Sequence, residues 1–163
     1  MKTIYFAGGC FWGTQRFFDQ FGGVKETEVG YANGPTESPT YKDVCASSGH
    51  AETVKVVFDE SEISVSKLLE YYFMIIDPLS LNKQGEDEGV QYRTGVYYGD
   101  DSLLPEIEAA FDKEQAKYKE PMKVELRPLE NFYDAEEYHQ KYLVKNPTGY
   151  CHIAPWLLNI GNS

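Results

Sequence analysis

Residues 3 to 32 read "TIYFAGGCFWGTQRFFDQFGGVKETEVGYA", and this stretch decides the fold. Thr3 to Ala7 is a run of β-formers and predicts a short strand. Gly8-Gly9 turns the chain. Apolar residues then fall at 11, 12, 17, 18 and 21, a helical spacing closed by Gly22-Gly23. Val24 to Ala32 alternates as a second strand. A cysteine, Cys10, stands at the junction of the first strand and the helix.

Outward from this unit, "AETVKVVFD" (51–59) predicts a strand and "SVSKLLEYYFMII" (64–76) a helix stopped by Asp77-Pro78. "VQYRTGVYY" (90–98) predicts another strand. The first six elements therefore run β-α-β-β-α-β, the split βαβ or ferredoxin-like order. The expectation is an α+β two-layer sandwich, a mostly antiparallel sheet with helices on one face. Further on, Ser102 is placed to cap a helix reaching about Tyr118. "KVELRPL" (123–129) predicts a strand and "DAEEYHQKYLVKN" (134–146) a helix. Two long polar loops, 30–50 and 79–89, interrupt this order, and loops of such length are commonly functional. The 163 residues fit one domain, with an irregular segment from about 146.

The charge of −11 gives an acidic surface, which argues against nucleic acid and anionic lipid as partners. No apolar run has the length of a membrane span, and the start of the chain lacks a secretory core, so the expected location is cytoplasmic. Cys10, Cys45 and Cys151 are far apart, with no C-x-x-C, which argues against a structural metal site or a disulfide framework. Reduced thiols fit better.

Cys10 at a strand-to-helix junction has free amides and the positive helix end beside it, which favour a thiolate. Gly8 and Gly9 leave room for another molecule to approach the backbone. Phe11 and Trp12 are adjacent, so they point to different sides of a helix, and at least one is free to wall a pocket at the sulfur. Glu52 shares strand parity with Val54, Val56 and Phe58. If those face the core, Glu52 does too, and burial raises its pKa toward that of a general acid. Tyr41, His50, Asp87 and Tyr92 lie in or beside the two loops. The residues alone leave alternatives open: a cysteine hydrolase with His50 or His139 as base, or a module binding apolar side chains near Phe11 and Trp12.

"GCFWG" (9–13) resembles the signature of the A-type peptide methionine sulfoxide reductases. "YKDVCASSGHAETVKVVFD", "DPLSLNKQGEDEGVQYRTGVYY", "FYDAEEYHQKYL" and "NPTGYCHI" resemble the family's later blocks in the same order. The resemblance implies that Cys10 attacks the sulfur of a methionine S-sulfoxide, free or in proteins, while Phe11 and Trp12 hold the S-methyl group. Glu52 protonates the oxygen, Tyr41 and Tyr92 hydrogen-bond it, and Asp87 orients the site. Cys151 is the implied resolving thiol, a thioredoxin-like protein the implied reductant, and no metal or organic cofactor is implied. Cys45 is given a structural role. The chain departs from the family's usual pattern at Leu79 and Thr94 and carries no cysteine after Cys151.

Overall fold

The computed structural model of the chain describes residues 1–35, 39–42, 49–84 and 87–162. The opening unit folds as β1 (Lys2–Ala7), α1 (Phe11–Phe18) and β2 (Val24–Ala32), followed by β3 (Ala51–Phe58) and α2 (Val65–Met74). The second loop contains a small ribbon, β4 (Lys83–Gln84) with β5 (Asp87–Glu88). Then come β6 (Gly95–Tyr98), α3 (Leu104–Gln115), β7 (Glu125–Pro128), β8 (Phe132–Asp134) and a short α4 (Tyr142–Lys145).

Six strands form one sheet in the order β7-β6-β1-β3-β2-β8. Every pairing is antiparallel except β6 with β7. The fold is mixed α+β with a mostly antiparallel sheet. Alternation sets which residues face the helices: Ile4, Phe6, Val54, Val56 and Phe58 point into the main core and are inaccessible. Phe6 is stacked between Phe18 of α1 and Tyr72 of α2, with centroids 4.7 and 4.8 Å away. Phe73 of α2 meets Phe111 of α3 edge-on at 5.4 Å. Ala7, Ala32, Ala51 and Tyr97 form a smaller cluster with Tyr5, Leu129 and Phe132.

Three expectations need correction. The strand foreseen from residue 90 starts only at Gly95, because Val90–Tyr92 is a 3₁₀ turn in which the Tyr92 amide donates to the Gly89 carbonyl at 2.9 Å. Ser102 caps nothing with its side chain; Asp100 accepts from the Ser102 amide, and a 3₁₀ turn at Asp101–Leu103 precedes α3. The helix expected over 134–146 is broken in two. Glu137–His139 is a 3₁₀ turn, Lys141 takes a left-handed conformation (φ 55°), and only Tyr142–Lys145 is α-helical. The cause is competition for hydrogen bonds. Gln140 accepts from the Val29 amide and donates to the Val29 carbonyl, and the Lys141 amide donates to Gln15. Asp134 belongs to β8, which the sequence reading did not foresee. The C-terminal residues wind into a 3₁₀ helix, Pro155–Asn162, lying on α1.

Candidate active site

Cys10 is the N-cap residue of α1, and it is 6% exposed. The chain enters through Gly9, whose φ of 71° suits glycine and whose amide donates to the Tyr92 carbonyl at 3.2 Å. Thr14, one turn into α1, donates its hydroxyl back to the Gly8 carbonyl at 3.3 Å. The turn is thereby tied to both the helix and the loop before β6.

Glu52 faces inward, as its strand parity implies, and is 1% exposed. Its Oε1 accepts from the Phe11 amide at 3.3 Å, so the carboxyl lies at the start of α1, one residue from Cys10. Its Oε2 has no partner among the described residues. Burial raises the Glu52 pKa to about 8; the Phe11 amide opposes this and the Asp87 charge adds to it. The carboxyl is a proton holder at neutral pH.

The thiol behaves otherwise than the sequence suggests. Burial pushes the Cys10 pKa well up, the Glu52 carboxylate pushes it further, and the bond from the Trp12 amide only partly counters them. The helix start is present but outweighed. The cover comes from the C-terminal segment. A Cβ on Gly9 would sit 2.7 Å from His152 Nε2, and one on Gly13 would sit 2.9 Å from Cys151 Sγ and 3.3 Å from His152 Nδ1. The room beside Gly9 is thus filled by the chain itself. Gly8 is likewise closed in, by Ile76 and Thr94. Cys10 and Cys151 are both free thiols. The Cys151 thiol donates to the Ile153 carbonyl at 3.7 Å.

Phe11 and Trp12 diverge. Phe11 is 1% exposed and packs near Tyr31, Tyr41 and His139, at 5.7, 6.4 and 5.3 Å. Trp12 is half-buried, stacks on Tyr142 at 3.8 Å, and donates its indole N–H to His139 Nδ1 at 2.9 Å. That bond assigns the remaining imidazole proton of neutral His139 to Nε2. Tyr41 lies against Phe11 and His139, and its amide donates to Glu136. Tyr92 ends the 3₁₀ turn behind Gly9. Asp87, in β5, accepts from the Tyr150 hydroxyl at 2.9 Å and acts electrostatically on Cys10, Glu52 and His152. His50 is fully buried, edge-on to Tyr133. Cys45 falls outside the described residues.

Several neighbours escaped the sequence reading. Tyr31 pairs in register with Glu52 and donates to Glu136, which also accepts from the Tyr41 amide. Its strand parity was visible, but its partner depends on register. His152 had only its position after Cys151 as a signal. No group of three His, Cys, Asp or Glu among the described residues is arranged to hold a metal ion, and no described helix is long and apolar enough to cross a membrane.

The family model of peptide methionine sulfoxide reductase matches residues 2–158. The peptide methionine sulfoxide reductase MsrA of Clostridium acetobutylicum is 56% identical over 159 residues, covering 97% of this chain and 98% of that one. Mxr1 from Saccharomyces cerevisiae in reduced form superimposes with a TM-score of 0.88 at 38% identity, covering 94% of this chain and 91% of that one. Mxr1 in complex with Trx2 gives a TM-score of 0.62 at 28% identity, covering 86% and 84%. With an inward carboxyl beside a helix-start cysteine and this agreement along nearly the whole sequence, the chain belongs to the peptide methionine sulfoxide reductase family, and its activity is the reduction of methionine sulfoxide.

Proposed function

We propose that the reaction runs between Cys10 and Glu52 on methionine S-sulfoxide, free or within proteins. A sulfoxide oxygen leaves poorly until it is protonated. Glu52, protonated up to about pH 8, gives its proton to that oxygen while the Cys10 sulfur attacks the sulfoxide sulfur. The proton from the Cys10 thiol refills Glu52. Methionine sulfur gains two electrons, and the oxygen ends on Cys10 as a sulfenic acid. Burial keeps the resting thiol protonated; protonated Glu52 does not repel the thiolate that develops, the Trp12 amide supports it, and the thiol loses its proton only as Glu52 gives up its own to the oxygen. Phe11 and Trp12 hold the S-methyl group, Tyr41 and Tyr92 hydrogen-bond the oxygen, and Asp87 keeps the loop and the charge balance in place.

Cys151 then condenses with the sulfenic acid, and a thioredoxin-like protein reduces the disulfide. Support comes from Cys151 packing on Gly13, one turn from Cys10, and from the yeast relative's complex with Trx2. A disulfide made at each turnover needs a reducing compartment, which suits the cytoplasm. The residues act as one catalytic domain. Its central strands, in the order β6-β1-β3-β2 with α1 and α2 as crossovers, support reading the core as ferredoxin-like.

The carrying observation is Glu52 buried and bonded to the amide next to Cys10. Dithiothreitol-driven reduction of methionine S-sulfoxide tests it. Cys10→Ser is expected to lose all activity. Glu52→Gln is expected to slow methionine release on the order of 10²-fold or more at pH 7 with an unchanged circular dichroism spectrum. Near wild-type release in Glu52→Gln would overturn the proton-donor role.

A further inference from the structure

The two thiols are not adjacent to empty space. The imidazole of His152 packs against the turn that carries Cys10 and beside the Cys151 sulfur. Its Nε2 approaches Gly9, the residue before Cys10, and its Nδ1 shares the surface of Gly13 with Cys151 Sγ. Both ring nitrogens are buried, and neither has a hydrogen-bond partner among the described residues. A ring carrying one donor and one acceptor rarely stays unpaired when its nitrogens are buried, because each unmet group has lost its water without a replacement. An unpaired imidazole that reaches from Gly9, beside Cys10, to the Gly13 surface where Cys151 Sγ lies is therefore a candidate for chemistry.

We propose that His152 is the acid–base residue of the resolving step, relaying the Cys151 proton to the oxygen that leaves Cys10. This rests on the reading that Cys10 becomes a sulfenic acid resolved by Cys151. The step is Cys10–S–OH plus Cys151–SH giving the Cys10–Cys151 disulfide and water. As the S–S bond forms, the neutral ring takes the Cys151 proton at Nδ1 and gives its Nε2 proton to the departing oxygen. One S–O bond and one S–H bond break; one S–S and one O–H bond form. No outside oxidant or reductant enters.

The electrostatics favour a neutral ring for this role. Burial lowers the His152 pKa, with Asp87 opposing. Burial likewise raises the Cys151 pKa, so that thiol needs a base to react at neutral pH. In this structure the Cys151 S–H points to the Ile153 carbonyl; rotation about Cβ–Sγ redirects the proton without moving the sulfur.

The test is rapid quenching after one equivalent of methionine S-sulfoxide, without reductant. Methionine release and the Cys10–Cys151 disulfide are measured separately, the latter by alkylation and mass spectrometry. The variants are His152→Phe, which keeps a ring against Gly9, and His152→Ala with and without added imidazole. The expected result is methionine release no slower than wild type in both, disulfide closure slowed tenfold or more, dimedone-trappable Cys10 sulfenic acid, and faster closure of His152→Ala in imidazole. Unchanged closure in either variant overturns the proposal, as does slowed methionine release. Wild type that releases methionine but forms no disulfide overturns the relay while leaving the first step standing. Wild type with no methionine release brings down the underlying reading as well.

Discussion

A carboxyl group without solvent, holding one amide donor at 3.3 Å, is cheaper to keep protonated than to ionise, and Glu52 is in that position. The consequence for activity has a clear sign. The protonated form is present below about pH 8 and lost above it, so single-turnover methionine release should fall through that pH. The consequence for stability follows from linkage. The folded pKa lies above the unfolded value, so between about pH 4.5 and about 8 the native state binds more protons and stability falls as pH rises. Glu52→Gln cannot ionise. Its thermal midpoint, compared with wild type, should therefore rise progressively from pH 5 to pH 9, by the equivalent of a few kcal/mol at most. A difference that stays flat across that range would contradict burial as the cause. The inward face of Glu52 was legible because a strand's alternation is a local property of its own residues. The masking of Cys10 was not, since the covering atoms belong to Cys151 and His152 and reach Gly9 and Gly13 only through the fold.

At the scale of elements, the site depends on where β1 and β6 part. Their last paired rung is Ala7 with Gly95, after which one chain leads into Gly8–Cys10 and the other comes from the turn at Tyr92. Tyr72, fully buried on α2, fastens this fork. Its hydroxyl donates to the Ala7 carbonyl and accepts from the Gly95 amide at 3.1 Å. Tyr72→Phe keeps the ring stacked on Phe6 but removes both of these bonds from a dry interior. A loss of about 1–3 kcal/mol in urea unfolding is expected, with lower catalytic efficiency because the Cys10 turn loosens. A Tyr72→Phe variant as stable as wild type would mean that the fork is held elsewhere. The strands on either side were readable because their hydrogen bonds run within the ladder. Reading failed where a segment's bonds go to distant side chains. Around residue 93, the Arg93 guanidinium reaches Glu125, the Val90 carbonyl and the Asn33 carbonyl, and the backbone bends to let it. At 134–146, helical periodicity was present, but Gln140 pairs with the edge of β2 and Lys141 turns left-handed to reach Gln15, Asp19 and Thr27. Periodicity records which faces are apolar and says nothing of such competitors.

Across the whole molecule, the last residues return to the first helix. Gln20 donates to the Leu157 carbonyl at 2.9 Å and accepts from the Gly161 amide at 2.8 Å, while Arg16 donates to the Leu158 carbonyl at 3.3 Å. Leu157, 7% exposed, and Ile153, 5% exposed, are the apolar contacts that seat this segment on the main core. The same segment carries Cys151 and His152, so under the proposed resolving step its docking governs how the two thiols meet. These bonds are few and lie outside the sheet, which makes the segment a separable unit of lower local stability. Leu157→Ala removes its main apolar contact, and a buried Leu→Ala change costs about 2–5 kcal/mol where the contact is complete. Native-state hydrogen exchange should then speed at the Leu157 and Gly161 amides while the amides of β3 keep their wild-type protection. Closure of the Cys10–Cys151 disulfide should slow in parallel, with methionine release in the first turnover no slower than in wild type. Equal acceleration of the β3 amides would instead show that the segment opens only with the entire fold, and the coupling between its docking and thiol resolution would have to be abandoned.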